Sequence, residues 1–219
     1  MTGSWQVRTM RASAAVLHGT EPDDVTVRTA TWCEVDHAAI VLGSTQREDA
    51  VDPAACARNR IDIARRRSGG GAVLVLPGEM LWLDVVIPRH DPRWDDDLGR
   101  SMWWLGSVWA TALGQLGIES TRVHHGSVTR TRFSGAVCWE GIGSGEVLVG
   151  EQKAVGISQR RTRSWARFQS SVHLWWRPEL LCDLLVGAEP TASDLAAPYV
   201  VEADANAVRA AVDDALVAF

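Results

Sequence analysis

The chain has 219 residues, 46% of them hydrophobic and 22% charged, with a formal net charge of -5 at pH 7. That length and apolar content suit one globular domain, and the acidic balance leaves no basic field to hold nucleic acid or an anionic membrane surface. The N-terminal segment lacks an apolar stretch of signal-peptide length and no run reaches transmembrane length, so a cytoplasmic protein with no membrane or nucleic-acid partner is expected.

Along the chain, His37 to Gly43 is a short apolar run of buried-strand type. Pro53 to Ala64 reads as a helix, with Asp52 as N-cap and Pro53 at the first helical position. Arg65 to Gly71 (RRRSGGG) cannot continue that helix; Ala72 to Leu76 and Met80 to Pro88 follow as two strands of a hairpin joined at Pro77-Gly78. Asp95 to Gly117 reads as a long helix, with Asp95, Asp96 and Asp97 at its positive end. Its stripe of Met102, Leu105, Trp109, Leu113 and Leu116 predicts packing flat against a sheet. Strand-like segments at Ser120 to His124, Glu146 to Val149, Ala154 to Gln159 and Ser171 to Trp176 are followed by helices at Pro178 to Val186 and Ala203 to Phe219. Hairpins with interspersed helices indicate an α+β fold, a mixed and largely antiparallel sheet flanked by helices, in place of a doubly wound parallel one.

The residues that carry chemistry are few. Lysine plus arginine total 22, and Lys153 is the single lysine, so an ammonium is specifically placed at 153. Cys33, Cys56, Cys138 and Cys182 are widely spaced and form no CxxC or Cys/His set, which argues against zinc and against a disulfide framework. Eleven tryptophans suffice to fill a core and to wall a slot for an apolar ligand. His124-His125 reads either as a base or as loop histidines, and the arginines at 160, 161, 163 and 167 either face solvent or dock an acidic domain. Gly69, Gly70 and Gly71 leave backbone N–H groups bare toward an anion or carboxylate, with arginines beside them. No Walker frame surrounds Lys153, and Gly141 to Gly145 fails the dinucleotide spacing.

Arg66-Arg67-Ser68-Gly69-Gly70-Gly71-Ala72-Val73 together with Lys153-Ala154-Val155-Gly156-Ile157-Ser158-Gln159 resembles the catalytic domain of the lipoate-protein ligase and octanoyltransferase family, related to biotin ligases. The resemblance runs from about Ala39 to Trp176. It implies an α+β fold of the class II synthetase and biotin/lipoate ligase kind over residues 1–186, with 187–219 a short helical tail instead of a full accessory domain. It further implies that Arg66, Ser68, Gly69, Gly70, Gly71 and Ala72, with Gly156 and Ser158, bind the acyl donor, and that Lys153 sits against the reactive carbonyl. No resident metal site is expected. The implied donor is lipoate or octanoate, with ATP and magnesium if the ligase route holds. The implied partners are lipoyl-domain proteins, the E2 subunits of 2-oxoacid dehydrogenases or the glycine cleavage H protein, and acyl carrier protein in the transferase route.

The sequence departs from the ligase pattern in two places. Leu74 and Val75 follow the glycines where ligases carry an aromatic residue and a histidine, and Gly145-Glu146 stands where ligases carry Asn-Asp. Ala136-Val137-Cys138-Trp139 is similar to a segment of one octanoyltransferase branch whose cysteine is the acyl carrier. Three readings therefore stand: a ligase-like acyl transferase acting on a lipoyl-domain lysine, an octanoyltransferase working through a Cys138 thioester, and a non-catalytic acyl-binding domain of the same fold.

Overall fold

In a computed structural model, which describes residues 4–187 and 190–219, the chain opens with β1 (Gln6–Ala12), α1 (Ala14–Gly19) and β2 (Thr29–Val35). β1 is an edge strand with largely exposed side chains, so it carries no apolar alternation. α1 is a single short helix begun by Ser13, whose Oγ accepts from the Val16 N–H at 3.4 Å. β3 (Ala39–Leu42) is the expected buried strand. α2 (Pro53–Arg58) starts as its sequence predicts, with the Asp52 carboxylate accepting from Ala54 N–H at 2.8 Å, but ends at Arg58 instead of Ala64. Arg60 takes φ +55°, and the chain past Ile61 extends as β4 (Asp62–Arg65) beside β3.

The predicted hairpin does not form. β5 (Val73–Val75) and β6 (Met80–Pro88) do flank the Pro77-Gly78 turn, but β5 pairs with β3 and β6 pairs with β2 in a different sheet. β6 is buried along nearly its whole length, the environment of a central strand that needs a neighbour on each side. The long helix also starts late. A 3₁₀ turn at Arg100–Met102 leads into α3 (Trp103–Gln115), and Asp97 caps from outside by accepting from Gly99 and Arg100 N–H at 2.8 and 3.1 Å. Then come β7 (Thr121–Val123), β8 (Thr129–Arg130), β9 (Gly141–Ile142), β10 (Val147–Val149) and β11 (Gln152–Arg161). β12 spans Trp165–His173, earlier than the expected Ser171 to Trp176; α4 (Pro178–Leu184) and α5 (Ala205–Ala218) follow.

Seven strands form one sheet in the order β1-β2-β6-β12-β11-β10-β7, parallel only between β1 and β2. β4-β3-β5 form a second, smaller sheet. Alternation along β6 sends Leu81, Leu83, Val85 and Ile87 to a core shared with α3 and α5, where Leu105, Trp109, Leu113, Val208, Val212 and Leu216 are buried. Trp82 faces the other way, toward Val41, Val75 and the Leu17 side chain of α1, so the small sheet packs on the far face of the large one. Ile40 and Leu42 point outward from the small sheet into a third core with Cys56 of α2 and Leu181 and Leu184 of α4. Trp5, just before β1, donates Nε1–H to the Leu216 carbonyl at 2.9 Å, tying the first strand to the last helix. Among the described residues no helix is long and apolar enough to cross a membrane.

Candidate active site

Between the two sheets lies a slot enclosing roughly 550 Å³ of empty space, its open mouth included. Pairing explains it: Gly156 stands opposite Ser171 and Ser158 opposite Gln169, with Trp82 and Asp84 next across β6. Opposed residues share a face of the sheet. The face toward the helices therefore carries Val155, Ile157 and Phe168, while the slot face carries glycine and serine, whose short side chains leave room against Val41, Val73 and Val75. Trp82 and Trp139 wall the slot; Trp109 is wholly buried in the main core and Trp175 is exposed. A wider, open cleft adjoins the slot, and Cys138, Glu146, Lys153 and Ser158 line both.

The two motifs meet at that junction. Ala72 N–H donates to the Ala136 carbonyl at 2.7 Å and Cys138 N–H to the Ala72 carbonyl at 3.0 Å, lacing the glycine loop to the segment that carries Cys138. Gly71 is demanded by this lacing, since a Cβ there would come 2.5 Å from the Val137 main chain. Gly70 takes φ +102°, and a Cβ on it would stand 2.8 Å from the Arg66 guanidinium and 3.4 Å from Cys138 Sγ. Arg66 is buried and turned into its own loop, where Nη2 donates to the carbonyls of Gly69 (2.9 Å) and Gly71 (2.7 Å) and lies 3.6 Å from Cys138 Sγ. Ser68 Oγ donates to Ser158 Oγ at 3.1 Å, fixing the loop to β11. Arg66 thus shapes the glycine loop and puts positive charge beside the Cys138 sulfur, and Gly69 and Gly70 face the open cleft.

Lys153 is 5% exposed and its ammonium makes three contacts: Glu146 Oε1 at 2.8 Å, the Gly141 carbonyl at 2.9 Å and the Cys138 carbonyl at 3.2 Å. The Trp139 ring lies 5.1 Å from Nζ, and Gly156 leaves the space its stem occupies. Glu146 is the partner that reading the sequence missed, noted there only as a departure from Asn-Asp. Its carboxylate also accepts from Gly143 N–H at 2.7 Å and Ile157 N–H at 3.1 Å. Behind Trp139, His173 is packed 4.4 Å from that ring; burial, reinforced by the Lys153 charge, holds its pKa near 3, so it is neutral.

The place of the ligase Asn-Asp pair does not fit magnesium and nucleotide. The Glu146 carboxylate is committed to one ammonium and two backbone N–H groups. Gly145 brings no side chain, holds φ +87°, and has Met102 Cβ 2.5 Å from where its own would be. Among the described residues no group of three or more His, Cys, Asp or Glu could hold a metal ion.

Other candidate residues lie elsewhere. His124 bonds the Ser127 carbonyl at 2.9 Å and His125 stacks on Trp103, neither of them lining the slot. The expected arginine patch is divided: Arg167 is buried on Asp84, Arg160 pairs with Glu21, and Arg161 lies over the Trp94 ring.

The profile of the lipoyl protein ligase A/B catalytic domain matches residues 16–190. The chain belongs to this family. Octanoyltransferase LipM of Clostridioides difficile (strain 630) is 27% identical over 179 residues, which are 81% of this chain and 64% of that protein, so the chain spans under two thirds of the relative's length. A lipoate-protein ligase A bound with ATP is similar in structure at TM-score 0.68 and 19% identity, covering 99% of this chain and 84% of that one. A bipartite lipoate protein ligase from Thermoplasma acidophilum, determined with its E2 lipoyl domain, gives TM-score 0.71 at 16% identity, covering 98% and 82%. The α+β class of the lipoate and biotin ligases is thus the class this family member adopts.

Proposed function

We propose that the protein is an acyltransferase that carries a medium-chain acyl group, octanoyl or lipoyl, through a thioester on Cys138 to a lysine of a lipoyl-domain protein. One observation carries this reading: Cys138 stands where the apolar slot opens into the cleft, with the Arg66 guanidinium 3.6 Å from its sulfur. A deprotonated cysteine sulfur is a strong nucleophile toward a carbonyl, and the guanidinium puts positive charge beside it.

The acyl chain lies in the slot and the donor, an acyl carrier protein thioester, enters through the cleft. The Cys138 sulfur attacks the donor carbonyl; a new C–S bond forms, the donor's C–S bond breaks, and the carrier thiol leaves with the proton given up by Cys138. In the second half the amine of the target lysine attacks the Cys138 thioester. An amide forms, Cys138 leaves as sulfur anion, and the proton shed by the nitrogen restores the thiol. Lys153 holds the Cys138 and Gly141 carbonyls, so it fixes the nucleophile's turn and supplies positive charge to the oxyanion of both tetrahedral intermediates. The commitment of Glu146 to Lys153 supports this route over adenylation of free lipoate with ATP.

Intact-mass analysis tests it. Octanoyl carrier protein should add one octanoyl group to the enzyme, labile to hydroxylamine, and an apo lipoyl domain should then remove it; Cys138→Ser should take up none. Full transfer by Cys138→Ala would sink the thioester route, and transfer by that variant from lipoate, ATP and magnesium would replace it with the ligase route.

A further inference from the structure

On the side of the slot away from the cleft is a polar group that acyl transfer does not use. His18 of α1 lines the slot but not the cleft, beside Trp82 of β6 and Gln169 of β12, with ring centroids 4.4 Å from the Trp82 ring. Its tautomer follows from its neighbours. Asp84 accepts from Arg167 Nε at 2.8 Å and from Trp82 Nε1 at 2.6 Å, so it is an acceptor. The Gln169 atom 3.1 Å from Asp84 is therefore the amide nitrogen. That same NH₂ is 3.2 Å from His18 Nδ1 and donates to it. An imidazole that accepts at Nδ1 carries its proton at Nε2. Burial first, then the charges of Arg167 and Arg66, hold the His18 pKa near 3, consistent with a neutral ring. Among the described residues no acceptor bonds Nε2–H, so His18 offers the slot a donor without a protein partner.

On the reading of this slot as the acyl site, we propose that His18 is a specificity-determining residue. Its Nε2–H favours acyl chains that carry a sulfur or oxygen acceptor near the end remote from the carboxyl over plain alkyl chains. A site built to donate a hydrogen bond discriminates against an analogue lacking the acceptor because the donor then loses water without gaining a partner. Asp84 and Gln169 are positioning residues that hold the tautomer.

Isothermal titration of the full chain with three free acids tests this: octanoate, its isostere with an ether oxygen in place of the penultimate carbon, and lipoate. The wild type should bind the ether acid and lipoate at least as tightly as octanoate, although an ether is the costlier group to strip of water. His18→Phe keeps a ring on Trp82 and removes the donor; it should weaken the two acceptor-bearing acids about 10-fold while octanoate holds or tightens. His18→Gln, which offers a donor again, should restore part of the preference. Wild-type binding of octanoate well above the ether acid, or an equal loss for all three acids in His18→Phe, overturns the proposal; the wild-type comparison decides it even if the variants do not fold. Should none of the three acids bind, and none protect Cys138 from a thiol reagent, the acyl-slot reading itself falls and this one with it.

Discussion

A buried ion pair at the heart of a site has a cost and a use, and Lys153–Glu146 shows both. Both side chains are about 5% exposed and 2.8 Å apart, so removing either leaves the other charge uncompensated in a low-dielectric interior. Lys153→Met should therefore abolish acyl loading of Cys138 and also cost about 3–5 kcal/mol of stability, while Lys153→Arg should be inactive because a guanidinium is too broad for a space bounded by Trp139 and Gly156. The double variant Lys153→Met/Glu146→Gln should be less destabilised than the sum of its parts, with coupling of about 0.5–3 kcal/mol in urea unfolding. Additive losses would mean that Glu146 serves only the Gly143 and Ile157 amides. The uniqueness of Lys153 was readable in the sequence, because a chain of arginines made the exception visible. Its partner was not: six residues of chain separate them, and only the β10–β11 turn brings Glu146 back onto the ammonium.

At the scale of elements, α5 is part of the main core. Val208, Val212 and Leu216 pack with α3 and the large sheet. Leu216→Ala should destabilise by about 2–5 kcal/mol, lowering Tm by roughly 2–4 °C per kcal/mol for a chain of this size; Val217→Ala, exposed at 72%, should lie within about 0.5 kcal/mol of wild type. Equal melting of the two variants would show that the helix is not held by that face. Local signals of the strong kind were read correctly: Asp52-Pro53 does begin a helix, and the apolar run at 39–42 is a strand. Where tertiary pairing decides, the sequence was silent or misleading. Ile61 and Ile63 continued a helix-like stretch until β3 offered an edge, and the Pro77-Gly78 turn joins two strands whose better partners lie in separate sheets. His18 gave no signal at all, since α1 is too short for a period and its neighbours Trp82 and Gln169 come from far along the chain.

Between its sheets the whole molecule holds an apolar slot behind and an open cleft in front, with Cys138 and Lys153 at the boundary. Both motifs reach that boundary, and both stand out in the sequence because glycine loops and a lone lysine are compositional exceptions. The slot itself was not foretold, because glycine and serine on one face of β11 and β12 look in sequence like poor strand residues instead of the floor of a cavity. The hydrogen bond from Trp5 to Leu216 has a consequence for how the chain could be rewired. Two segments that are far apart in covalent order are direct neighbours in space, so a few added residues could link the last helix to the first strand without disturbing either. New ends could then open at the exposed β11–β12 turn around Arg163, which lines neither the slot nor the cleft. Such a circular permutant should fold to the same far-ultraviolet circular dichroism and load octanoate onto Cys138 at a rate close to the parent, whereas a collapse of both would show that the order in which the strands are synthesised, and not only their final neighbours, is needed to assemble the sheet.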